Sequence, residues 1–434
     1  MSTRKFLIIV GGATASGKTG FAIRLAQHFQ TEILSLDSRQ FYQEMEIGTA
    51  KPTEEELAAA PHHFVGHISI HQAYSVGDFV REALVRLDRL FKQYDIVIAS
   101  GGSGLYIKAL CEGLDEFPEV PTTIKEKVIE RYESEGISAL QDELQQLDPT
   151  YYATVDRNNP HRLIRAISVC RASGAPFSSF LKKGRASRIF TPIYLQMHWP
   201  RRTQYDRINQ RVDLMIAAGQ VQEVRKLYAF RELTALQTVG YKELFDFVGE
   251  KATLAECVEK IKRNTRRYAK RQLTWFRRNG IWKHFHPSEW DLTLQYIDYV
   301  RQQEFNLGPA SEEEKVRLCL EFQDSVIPEV ECDKVSFLLG KSKGSIRVQV
   351  PYLLGKKELL IFPFPDTTTD DPVLTHLLLH EVVARGEDKA IYWLTSTGNM
   401  SKLADKSKEL EVAQLPARLQ KWVSKDNQVW QLNP

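Results

Sequence analysis

Residues Gly12 to Thr19 read GATASGKT, the spacing G-x-x-x-x-G-K-[ST]. Glycines at that spacing let successive backbone N–H groups converge on one centre. The lysine adds a point charge there, and the following hydroxyl can reach a Mg²⁺ ion. Gly12, Ala13, Thr14, Ala15, Ser16, Gly17, Lys18 and Thr19 are therefore expected to cradle a phosphate ester, with Thr19 on the Mg²⁺. The motif does not name the ester. LSLDSRQ places Asp37 just past an apolar run, where a carboxylate can serve as a general base or hold Mg²⁺ through water. Read alone, Asp37 leaves a helix cap as the alternative. ASGGSGLY sets Gly101, Gly102 and Gly104 around Ser103, which brings backbone close to a neighbour and offers a hydroxyl.

These residues need a scaffold that delivers three loops to one edge. FLIIVGG, TEILSLDS and YDIVIASGG are near-continuous apolar runs, and KTGFAIRLAQHF and SVGDFVREALVRLDRLFKQ between them have helical period. That alternation predicts an α/β fold with a parallel sheet covered on both faces. From 116 to 187 the strand signals vanish and helical patterns take over, predicting a helical insertion domain between core segments 1–115 and 188–305. TPIYLQMHWP restores a strand, and two long helices are expected over 201–228 and 253–279. A linker is expected at EFNLGPASEEE. Beyond it, 311–434 reads as a small α+β accessory domain, with a hairpin or small sheet in SFLLGKSKGSIRVQVPYLLGKKELLIFPF and a helix in DPVLTHLLLHEVVARG.

The net charge of +3 conceals a local excess: Lys260 to Lys283 holds ten Lys or Arg and no acidic residue. Such a stripe is a footprint for an anion or a nucleic acid. Within it KRQLTWFR interleaves cations with Trp275 and Phe276, of which at least one is as readily a core residue as a stacking platform. The five cysteines are scattered without CxxC spacing, which fits a reducing cytoplasm and neither a disulfide framework nor a zinc site. No run of apolar residues is long enough for a membrane helix, and a monomer is expected. His62, His63, His67 and His71 match no common zinc spacing, and His376, His380 and Glu381 lack the metalloprotease offset.

GATASGKT, DSRQFYQEMEIGTAKP, HHFVGHISIHQAYSVGDF, GGSGLY, NNPHRLIRA, QTVGYKE and KRQLTWFRR, in this order, resemble the tRNA dimethylallyltransferases over residues 4–300. Two departures are Ala13 in place of the family's proline and Ser103 in place of its threonine. The resemblance implies a P-loop fold and the transfer of a dimethylallyl group from its diphosphate to the exocyclic amine of the adenosine just 3′ of the anticodon. The phosphate loop would then hold the leaving diphosphate, aided by Mg²⁺ and Arg211, which without the resemblance reads as a solvated helix charge. Asp37 would take a proton from the amine or orient it, and Ser103 would bond the base. The resemblance also implies tRNA contacts at Asp37, Ser38, Arg39, Gln40, Ser103, Lys125, His161, Arg162, Arg165, Thr238, Gly240, Tyr241, Lys270, Arg271, Gln272, Trp275 and Arg277. The zinc finger of eukaryotic members has no counterpart, which points to a bacterial-type enzyme. GATASGKT alone leaves a nucleotide or small-molecule kinase as the alternative, although that reading gives the basic stripe and GGSGLY no task.

Overall fold

The computed structural model describes residues 4–181, 186–279 and 282–303, and beyond them seven strands between 305 and 432. The chain forms two compact units, residues 1–107 with 189–434, and residues 108–188.

The first unit is built on strands β1 (Phe6–Gly12), β2 (Ile33–Ser35), β3 (His62–His63), β4 (Ile96–Gly101), β5 (Thr191–Met197) and β6 (Lys283–Phe285). They form one sheet in the order β3-β2-β4-β1-β5-β6, and every pairing is parallel. All seven residues of β1 are buried, because a parallel sheet covered on both faces has no solvent side. Ile8, Val10, Ile98 and Leu195 pack with Phe21 and Leu25 of the helix Lys18–His28 and with Ile297 of the helix Trp290–Gln303.

Register decides where the loops emerge. Gly11 pairs with Gly101, Ser35 with Ser100, and Gly12 with Met197. The loops after β1, β2 and β4 therefore leave the sheet at one level, on its carboxyl edge, where open α/β sheets bind ligands. β2 is shorter than the apolar run predicts, so Asp37 stands two residues past its end. The fit is tight: a Cβ on Gly101 would lie 2.4 Å from the Leu36 carbonyl oxygen.

Two helices frame that edge. Leu254–Arg278 begins with a capping box of Thr253 and Glu256 and runs 25 residues. The single helix expected over 201–228 is instead two, Arg201–Ala217 and Gln220–Leu227. Gly219, at φ 104°, adopts the left-handed conformation that ends the first and starts the second.

The second unit is helical. Thr122–Glu135, Ile137–Leu147 and Pro160–Ser173 enclose Val128, Leu140, Leu144, Leu163 and Ile167. In the C-terminal part, β7 (Phe305–Pro309), β8 (Ser336–Ser342), β9 (Ser345–Leu354), β10 (Glu358–Ile361), β11 (Ala390–Ser396), β12 (Ser407–Leu410) and β13 (Asn427–Leu432) form a sheet in the order β12-β13-β11-β10-β9-β8-β7. Only β10 and β11 pair in parallel. The expected hairpin is β8–β9, and the first half of the expected linker is strand β7 instead. The helix expected over 371–386, with His376, His380 and Glu381, lies outside the described residues. Among the described residues no helix is long and apolar enough to cross a membrane.

Gly101→Ala forces a methyl group onto backbone rather than onto a pliant side chain. It should destabilise the protein by about 1–3 kcal/mol, or about 2–4 °C of melting temperature per kcal/mol. Differential scanning calorimetry reads this directly, and an unchanged melting temperature would mean that β2 and β4 separate without cost.

Candidate active site

The phosphate loop is held from outside. Four consecutive carbonyls each accept a side-chain hydrogen bond: Ala13 from Lys18 Nζ at 2.7 Å, Thr14 from Gln204 Nε2 at 2.6 Å, Ala15 from Arg207 Nε at 2.9 Å, and Ser16 from Trp199 Nε1 at 3.0 Å. Arg207 also lies over the Trp199 ring, 4.4 Å from its centroid. Ala15 at φ 63° and Gly17 at φ 89° reverse the chain between these anchors. Of the loop's own amides, the Thr14 N–H is taken by Gln272 Oε1 at 3.0 Å and the Ser16 N–H by the Ala13 carbonyl at 3.3 Å. No side chain caps Gly17, so the first N–H groups of the helix Lys18–His28 face the space beside the loop, as orphan donors suited to an anion.

That space is a cavity of about 340 Å³. Thr14, Lys18, Thr19, Asp37 and Arg211 form its polar walls, and Ile208, Val212, Met215, Val239 and Ile261 form an apolar one. Burial, reinforced by the neighbouring Arg211 and opposed by Asp37, pushes the Lys18 ammonium down to about 8. Burial likewise lowers Arg211, against the attraction of Asp37. Two desolvated cations facing one carboxylate favour an anion of more than one charge. Thr19 and Asp37 share this wall, and oxygen donors of that kind suit Mg²⁺. Among the described residues no group of three His, Cys, Asp or Glu is placed to hold a metal ion by itself.

The loop after β2 supplies the other side. Asp37 Oδ1 accepts from the Arg39 N–H at 3.0 Å. The Ser38 N–H donates to Ser103 Oγ at 3.1 Å. Arg39 Nη1 donates to the Ala235 carbonyl and Gln40 Nε2 to that of Ala50, both at 2.9 Å. Ser38, Arg39, Gln40, Thr238 and Gly240 line the cavity with Asp37. Ser103 is not among the residues that line the cavity, and its hydroxyl is engaged with Ser38.

Several expected contacts are redirected by the structure. Gly101, Gly102 and Gly104 admit protein: Cβ atoms there would meet Leu36, Gln272 at 2.2 Å and Trp275 at 2.2 Å. Gln272, expected on tRNA, is buried; it accepts from the Thr14 N–H and donates to the Gly102 carbonyl, both at 3.0 Å. Tyr241, also expected on tRNA, is fully buried beneath Gly48, with its hydroxyl on Glu223 at 2.5 Å. No nucleic acid reaches a side chain so placed. Of the stripe, Lys283 is buried in β6, while Lys260 pairs with Asp246 and Lys262 with Asp213. Phe276 is core. Trp275 is partly exposed, and Lys270, Arg271 and Arg277 stand exposed on the long helix beside Arg263 and Arg267. Lys125, His161, Arg162 and Arg165 belong to the second unit, where all four are exposed.

Other determinants carry no motif signal. Gln204, Arg207 and Trp199 anchor the phosphate loop from a distant stretch. Glu223 accepts from the N–H groups of Glu46, Ile47 and Gly48 at 2.7–3.0 Å, which fixes the loop over Tyr241. The histidines are local fixtures: His63 bonds Glu32 at 2.6 Å, and His67 sits among Phe41, Phe64 and Tyr74.

The IPP transferase family model matches residues 40–279. A tRNA dimethylallyltransferase of Christiangramia forsetii is 53% identical over 296 residues, covering 68% of this chain and 97% of its own. One of Cytophaga hutchinsonii is 45% identical over 299 residues, covering 69% and 98%. Among solved structures, a tRNA isopentenylpyrophosphate transferase from Bacillus halodurans is 31% identical, with a TM-score of 0.51 over 69% of this chain and 97% of its own. A eukaryotic dimethylallyltransferase acting on tRNA shares the fold, at 24% identity and a TM-score of 0.58, over 68% of this chain and 78% of its own. With that cavity and these relatives, the chain belongs to the IPP transferase family, the tRNA dimethylallyltransferases.

Proposed function

We propose that the protein transfers a dimethylallyl group from dimethylallyl diphosphate to the exocyclic amine of the adenosine 3′ of the anticodon, releasing diphosphate. One observation carries the reading: the cavity sets the buried cations Lys18 and Arg211 and an apolar wall around Asp37. A diphosphate with a short hydrocarbon tail matches both walls at once. The relatives' names favour group transfer to tRNA over a kinase reaction.

In the reaction the bond between the allylic carbon and the diphosphate oxygen breaks, the bond from the amine nitrogen to that carbon forms, and the amine loses one proton. Lys18, Arg211 and the loop amides stabilise the charge gathering on the leaving diphosphate. Asp37 would orient the amine and accept its proton. Thr19, with Asp37 through water, would hold Mg²⁺, which supplies further charge neutralisation at the diphosphate. The target base must leave its stack to enter the cavity. The exposed cations of the helix Leu254–Arg278 and partly exposed Trp275 offer phosphate contacts and a stacking surface nearby. A tRNA substrate supports a cytoplasmic location for the reaction.

Asp37→Asn keeps the size of the side chain and removes its basicity. Single-turnover transfer should fall by about 10²–10⁴-fold, with tRNA affinity in a filter-binding assay retained. Equal loss of both would make Asp37 a tRNA contact rather than the base.

Lys18 gives a pH signature. Its ammonium is charged in the free protein below about pH 8 and neutral above. A bound anion raises that pKa, so binding above this pH must take up a proton, whereas binding well below it takes up none. Titration calorimetry with inorganic diphosphate at about pH 8.5, in buffers of different ionisation enthalpy, should show more proton uptake for the unsubstituted protein than for Lys18→Met. The difference should vanish near about pH 6.5. Identical uptake in both proteins at the higher pH would remove Lys18 from the anion site.

A further inference from the structure

We infer that Gln272 is the positioning residue that fixes the donor side of the active site against its acceptor side. Its amide bridges the phosphate loop and the glycine turn. Oε1 accepts from the Thr14 N–H of the phosphate loop at 3.0 Å, and Nε2 donates to the Gly102 carbonyl of the glycine turn at 3.0 Å. From Gly102 the connection continues to its neighbour Ser103, whose hydroxyl accepts the Ser38 N–H, next to Asp37. The leaving group's loop and the proton acceptor's loop are thereby joined through the buried Gln272 and then Ser103. An amide is suited to this task because it offers one acceptor and one donor across a single plane.

The glycine turn is shaped around this bridge. A Cβ on Gly102 would lie 2.2 Å from Gln272 Nε2, so glycine is needed there for the amide to dock. The helix Leu254–Arg278 also divides its labour: Lys270, Arg271 and Arg277 face solvent while Gln272 faces the two loops. In-line attack requires the amine and the allylic carbon in near-contact, and a displacement of 1 Å can cost on the order of 10²-fold in rate.

The inference rests on the proposed transfer reaction, which the unsubstituted protein must first perform. Gln272→Ala removes both bonds, and Gly102→Ala dislodges the amide without altering it. Single-turnover transfer at saturating tRNA and donor is measured for each variant and for the double variant, with tRNA affinity by filter binding. Expected are rate losses on the order of 10²-fold in each single variant, unchanged tRNA affinity, and a double variant no slower than Gln272→Ala alone, because the two substitutions break one link. A normal rate at saturating tRNA with weakened tRNA affinity would make Gln272 a tRNA contact and overturn the inference. Multiplying losses in the double variant would overturn it equally. Absence of transfer by the unsubstituted protein would instead refute the reaction itself.

Discussion

The site depends on which way the peptide groups of one loop face. A loop of this kind binds an anion only if its amides point inward and its carbonyls outward. Here the carbonyls of Ala13, Thr14, Ala15 and Ser16 are each taken by a side chain: Lys18, Gln204, Arg207 and Trp199. A net hydrogen bond contributes only about 0.5–1.5 kcal/mol, yet four in sequence hold the path of the loop, and Gln272 takes the Thr14 N–H as well. The anion then meets donors that need no reorganisation when charge develops. Lys18 has a double part, because its ammonium rests on the Ala13 carbonyl and also lies close enough to Arg211 and Asp37 to feel both.

A second constraint places the acceptor loop within reach. The pairing of Gly11 with Gly101 and of Ser35 with Ser100 brings three loop ends to one level. Contact between those loops then depends on missing side chains. Gly101 closes on Leu36, Gly102 on Gln272 and Gly104 on Trp275. The glycine turn is consequently a packing surface for neighbouring elements, and Ser103 within it supports the Ser38 amide. Glu223 does for the Glu46–Gly48 backbone what the four donors do for the phosphate loop, from the opposite polarity.

The scaffold was largely legible because its signals are local. Apolar runs at strand length, amphipathic helices between them and GATASGKT at their junction require no knowledge of distant partners. Asp37 was legible from its place just past an apolar run, and Arg211 only through the order of the longer motifs, since a single arginine looks the same on any surface. Gln272 and Tyr241 sit inside motif stretches and so read as ligand contacts, while their side chains face inward, which depends on how a helix is rotated in the packed fold. Gln204, Arg207, Trp199 and Glu223 left no trace, because each is defined by a backbone atom far away in sequence. Gly219 could have been read as a helix break, but a lone glycine in a helical pattern does not compel one. The basic stripe overstated the available face, since Lys260 and Lys262 are paired and Lys283 is buried.

The loop is assigned to the diphosphate of an allylic donor rather than to a nucleotide. The direct measurement is incubation with dimethylallyl diphosphate labelled in the allyl group and with unmodified tRNA, with and without ATP, followed by nucleoside analysis. Expected are label on the adenosine 3′ of the anticodon, one diphosphate released per group transferred, and no dependence on ATP. ATP turnover without label on the tRNA would contradict that assignment.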